Sequence, residues 1–99
     1  MKRTEIYRLP PKLKLRGTEE ERIIGLEVND FLRENYIELG TNNPRRYLHE
    51  ENGSLILIIY GEDVCHDKIV EIQIAPKKTA VPKELSDLLT SKRFKRVQK

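Results

Sequence analysis

Ser54-Leu55-Ile56-Leu57-Ile58-Ile59-Tyr60 contains the longest apolar run in the chain, six residues from Leu55 to Tyr60 with no polar interruption. Isoleucine and tyrosine suit a strand, and the run is too short for a membrane span, which takes about 20 residues. A sheet with one face in water alternates apolar and polar residues; this stretch leaves nothing for water on either side. Burial of one aliphatic side chain is worth about 1.5–3 kcal/mol. Three left facing water would therefore forfeit a share comparable with the whole stability of a small domain, about 5–15 kcal/mol. The run demands cover on both faces. A long helix can supply one side. The other calls for the short C-terminal helix, the N-terminal strands or a second copy of the protein.

Asn52-Gly53 stands immediately before this strand and tolerates the positive φ angles of a two-residue hairpin turn, so Arg45 to Glu50 is its antiparallel neighbour. Gly61-Glu62-Asp63 offers a second turn into a strand from Val64 to Ala75, with Val70, Ile72 and Ile74 on one face and Glu71 and Gln73 on the other. The middle of the chain is a three-stranded meander.

Upstream, Thr18-Glu19-Glu20-Glu21 has the form of a capping box, and three acids favour the positive end of a helix dipole. Ile24, Val28, Phe31, Leu32 and Leu39 form one stripe at helical spacing, and Gly40, Asn42, Asn43 and Pro44 supply a stop, giving a helix from Glu19 to Glu38. Gly25 and the alternation of Ile24, Leu26 and Val28 keep a strand open as the alternative. Lys12-Leu13-Lys14-Leu15-Arg16 alternates like a half-buried strand, and Pro10-Pro11 separates it from a first strand over Thr4 to Leu9. Pro82, Leu85, Leu88 and Leu89 mark a short helix to Thr90; Ser91 to Lys99, with five cations, reads as an extended or frayed tail.

The expected fold is one α+β domain over residues 1–99 with a basic tail at 91–99. Its antiparallel sheet has about four to five strands, one long helix packed on a face, and a short C-terminal helix. At 99 residues there is room for one core. A charged fraction of 35% exceeds the ~25% of an average domain, and a single cysteine, Cys65, excludes an internal disulfide. No signal-peptide segment follows Met1, so the expectation is a soluble, cytoplasmic protein.

Charge is segregated along the chain. Residues 1–16 carry six bases and one acid, residues 17–75 five bases and thirteen acids, and residues 76–99 eight bases and two acids. Should the basic ends meet, they would form the footprint of a nucleic-acid binder. Lys92, Arg93, Lys95, Arg96 and Lys99 lead that set, followed by Lys12, Lys14 and Arg16. Alternatively the ends pair with the acidic middle, within one chain or across a dimer. Phe94, inside the tail, either stacks on a base or tucks the tail onto the core.

Cys65-His66-Asp67 invites a nucleophile or zinc reading, but neighbours on a strand point to opposite faces. Glu50, Glu51, Glu62 and Asp63 lack the spacing of a ligand loop. No cofactor, metal or small-molecule substrate is expected.

In architecture the chain is similar to the RelE-type ribonuclease toxins, with Leu55 to Tyr60 and Lys68 to Ala75 as the sheet; that resemblance implies Arg45, Arg46, Tyr47 and His49 as active groups. It departs from them in lacking a helical hairpin and a basic meander. From Met1-Lys2-Arg3 through the Ser54 to Tyr60 strand, its ion-rich composition and single cysteine resemble small proteins of hyperthermophilic archaeal filamentous viruses. This second resemblance implies an α+β protein in an infected archaeal cell and no site residue. The expected function is a non-enzymatic binding protein acting on nucleic acid or a protein partner. A small ribonuclease and a purely structural, homodimeric protein are the alternatives.

Overall fold

The structure, a computed structural model, describes residues 1–97. The chain runs β1 (Arg3–Arg8), a 3-10 turn (Pro11–Leu13), α1 (Glu19–Asn35), β2 (Ile37–Gly40), β3 (Arg45–Glu51), β4 (Ser54–Glu62), β5 (Lys68–Ala75), α2 (Lys83–Ser91) and β6 (Lys95–Arg96). The class is α+β. One sheet holds six strands in the order β2-β3-β4-β5-β1-β6, and every neighbouring pair is antiparallel.

The register decides which side chains share a face. Ile58 stands between Tyr47 on β3 and Ile72 on β5, and Glu5 on β1 is opposite Ile72. Directly opposed residues point the same way. Tyr47, Ile56, Ile58, Tyr60, Val70, Ile72 and Ile74 therefore form one inner face, and each is buried. Ile24, Val28 and Leu32 of α1 and Leu85 and Leu89 of α2 join them in a single core. Two tyrosines tie α1 to the sheet: the Tyr47 hydroxyl donates to Asn29 Oδ1 at 2.9 Å, and the Tyr60 hydroxyl to the Gly25 carbonyl at 3.5 Å.

Both helices lie on that inner face. On the other, Ile6, Leu48, Leu57, Ile59 and Ile69 are half-buried, while Leu55 is 50% and Ile37 60% exposed. No described element covers this outer face, so β4 receives inside its own chain only half the cover its composition demands.

Other departures from the sequence reading have local causes. The sheet gains a sixth strand because the tail folds back as β6, with Tyr7 opposite Arg96 and Arg8 opposite Lys95. Phe94 takes the second of its two readings and is buried in the core. The helix ends at Asn35, not Glu38: Tyr36 is extended (φ −131°), and Leu39 leaves the helical stripe for the edge strand β2, where it is exposed. Lys12 to Arg16 is not a strand. The Pro10-Pro11 pair starts a 3-10 turn and Lys14 adopts a left-handed conformation (φ 53°), although Leu13 and Leu15 still pack against the core. The last meander strand begins at Lys68, since the Asp63 side chain accepts from the backbone amides of Cys65 and Asp67 and closes a turn there. Gln98 and Lys99, the end of the predicted tail, lie outside the described residues.

Candidate nucleic-acid interface

Pairing of β6 with β1 brings the two basic ends of the chain together. The tail turns after α2 at Arg93 (φ 69°), Phe94 drops into the core, and the Val97 amide donates to the Ile6 carbonyl at 2.7 Å. Alternation along so short a strand sends Lys95 and Arg96 to opposite faces of the sheet edge. Pro10 and the 3-10 turn rise beside them. Arg8, Pro10, Lys12, Lys95, Arg96 and Val97 together line an open cleft of about 380 Å³.

Of the cations singled out from the sequence, Lys12, Lys95 and Arg96 meet here. The others go elsewhere. Arg16 reaches the buried Asp67 at 3.2 Å, Lys92 binds Glu27 at 2.6 Å, and Arg93 pairs with Glu20. The two contacts with α1 match the alternative in which the basic end neutralises the acidic middle. Lys14 is exposed on the left-handed turn and does not line the cleft. The sequence reading missed Arg8. Its place beside Lys95 follows from the β1–β6 register, for which the sequence carries no local signal.

One buried acid acts on the charge of the cleft through Arg96. Glu5, buried on the inner face of β1, accepts from the Tyr7 hydroxyl at 2.6 Å, and lies 2.9 Å from Arg3 and 3.9 Å from the cleft residue Arg96. Burial pushes the Tyr7 phenol up to about 12, and the hydrogen bond and charge of Glu5 add to the rise. Arg8 has a long contact to Asp63, 3.8 Å. Among the described residues Lys12 and Lys95 are in no ion pair, so they carry the net positive charge of the cleft.

The other candidate constellations come apart. Arg46 is on the outer face, whereas Arg45, Tyr47 and His49 are on the inner one, with Tyr47 fully buried and the His49 ring edge-on to Tyr36 at 5.1 Å. Those four groups do not converge on a substrate. Cys65 and His66 are exposed on the Asp63–Asp67 turn, while Asp67 is buried against Arg16. Glu50 and Glu51 sit at one end of β4 and Glu62 and Asp63 at the other. Among the described residues no group of three or more His, Cys, Asp or Glu side chains could hold a metal ion, and no helix is long and apolar enough to cross a membrane.

Compared with protein-family models, with curated proteins and with solved structures, the chain matches none.

Proposed function

We propose that this protein is a non-enzymatic binding module that grips the phosphate backbone of nucleic acid in the cleft between β1, β6 and the Pro11–Leu13 turn. The observation that carries the reading is the pairing of β6 with β1, which joins two basic segments more than eighty residues apart in sequence at one edge. Lys12 and Lys95 supply charge that no acid of the described chain consumes, and Arg8 and Arg96 offer planar donors for phosphate oxygens. The cleft contains no exposed aromatic ring, because Phe94 is committed to the core. Recognition is accordingly electrostatic and tolerant of sequence, with counterion release as its main driving force.

Fluorescence anisotropy with labelled single-stranded and duplex DNA, titrated at several salt concentrations, tests this. Three to four phosphate contacts predict a log–log salt slope of about −3 on duplex. The paired variant K12E/K95E should abolish binding at low salt, while K14A and K92A should change it little. An absence of binding at low salt, or binding indifferent to K12E/K95E, would overturn the reading.

A further inference from the structure

The outer face of the sheet is an apolar surface with a defined charge pattern. One row across it reads Arg46 on β3, Ile59 on β4, Glu71 on β5 and Ile6 on β1; the next reads Ile37 on β2, Leu48, Leu57, Gln73 and Thr4. Opposite charges thus flank the central isoleucine at equal distance, one strand to each side. Among the described residues neither Arg46 nor Glu71 is in an ion pair; Glu71 accepts only from Gln73, at 2.7 Å.

We infer that this face is the interface of a symmetric homodimer, two sheets stacked about a two-fold axis parallel to and centred on β4, with Arg46 of each copy set against Glu71 of the other. Symmetry and charge together select that axis. Two faces stacked by a two-fold must have the axis in the interface plane. An axis across the strands through the Arg46 row would lay Arg46 on its own copy and Glu71 on its own; one through the Leu57 row would set Arg46 against Glu50 but leave Glu71 against Ala75, with no opposite charge. An axis along β3 would again lay Arg46 on its own copy, and one along β5 would do the same to Glu71. Like charges opposed at close range are unfavourable. An axis between β4 and β5 would press Glu71 onto Ile59 and Arg46 onto Ile6, and one between β3 and β4 would press Arg46 onto Ile59. Of these, the axis along β4 alone gives both Arg46 and Glu71 an opposite charge, and it places Ile59 on Ile59, Leu57 on Leu57 and Leu55 on Leu55.

Sheet spacing permits this packing. Stacked sheets lie about 10 Å apart with strands within about 30° of parallel, a gap that an arginine and a glutamate from opposed faces can bridge. Five strands at about 4.8 Å spacing and six residues at about 3.4 Å give roughly 500 Å² of flat face per copy, before side-chain relief is added. A stable interface takes about 800 Å² of accessible surface per partner. The same dimer supplies the second layer that Leu55, Leu57 and Ile59 lack.

Light scattering coupled to size exclusion on the full chain tests the proposal, with circular dichroism to confirm folding of each variant. The wild type should elute at twice 11.7 kDa. R46E and E71R should each weaken dimerisation by about a hundredfold, since each sets two like-charged pairs face to face. The swap R46E/E71R should restore the dimer, because the pairs re-form with signs exchanged. A monomeric wild type at micromolar concentration, a dimer unmoved by both single variants, or failure of the swap to rescue would overturn it.

Discussion

Tyr7 and Arg96 stand opposite one another across the β1–β6 pair, and the buried carboxylate of Glu5 serves both, accepting from the tyrosine hydroxyl at 2.6 Å and facing the guanidinium at 3.9 Å. One buried acid of β1 thus helps fix the strand that completes the cleft. Replacing Glu5 with glutamine keeps the shape but removes the charge that holds Arg3 and Arg96. E5Q should cost about 1–3 kcal/mol in urea unfolding, as expected for breaking a buried ionic network from one side. It should also let the Tyr7 phenol titrate below about 12, though still above its ordinary value, because burial is the larger cause of the rise.

Alkaline behaviour follows from all four tyrosines. Tyr7, Tyr36, Tyr47 and Tyr60 are each raised above the ordinary phenol value, with burial as the leading cause. The folded state therefore holds these protons more tightly than the unfolded chain. Their contribution to stability is intact below the unfolded value of about 10 and is lost as pH climbs through the folded values. Tyrosinate absorbance should lag behind that of free tyrosine through pH 10 to 12 and then rise together with loss of helical dichroism. Early titration of any one ring would contradict its burial.

Much of this fold could be read from short-range chemistry. The Thr18 hydroxyl accepts from the Glu21 amide at 3.2 Å, as the capping box requires, although the Glu21 side chain reaches back to the Gly17 amide rather than to Thr18. Asn52 (φ 49°) and Gly53 (φ 80°) make the predicted tight turn. What could not be read is long-range. Nothing local to Lys95 and Arg96 says they pair with β1; that depends on Phe94 finding a place in a core assembled from distant segments. Likewise the apolar run of β4 showed that both faces need cover, yet only the register revealed that both helices choose the same one. The strand misread at Lys12 to Arg16 has a third cause, since period-two alternation cannot be distinguished from a kinked turn once prolines dictate the backbone.

Phe94 is where tail and core meet. Its truncation to alanine, F94A, should destabilise the domain by about 3–5 kcal/mol, the usual cost of removing a buried phenylalanine. It should also release β6, so that a variant stabilised by low temperature still loses most affinity for nucleic acid while keeping α1 and the meander. Hydrogen exchange would register this as loss of protection at Val97 before the amides of β4 and β5.

Gly25 is a helix-interior glycine set over the end of β5. A methyl group there would meet Lys68 Cε at 2.9 Å and Nζ at 3.1 Å, and the Tyr60 hydroxyl at an ordinary 3.4 Å. The close contacts are the far end of a flexible chain that can swing outward. G25A should therefore keep most of the ~1 kcal/mol that alanine gains over glycine in a helix, read as a higher denaturant midpoint. G25A in a K68A background should keep all of it; a loss of stability in both would mean α1 cannot move over the sheet.

An axis along β4 has a consequence for the cleft as well. It preserves direction along the strands and reverses their order, so the two β1–β6 edges fall on opposite flanks at the same end of the dimer. Six strand spacings put them about 29 Å apart. A single strand of nucleic acid at about 3.4 Å per nucleotide bridges that distance once it exceeds about 9 nucleotides. Binding of a strand of about 20 nucleotides should then gain from two-site attachment by a factor of about 100 or more over one of about 6. E71R separates this from simple charge. It adds positive charge to every copy, which favours nucleic acid on electrostatic grounds alone, yet it breaks the dimer. With E71R the long strand should bind more weakly than to wild type and the short strand no more weakly; tighter binding of both would mean that each cleft acts alone.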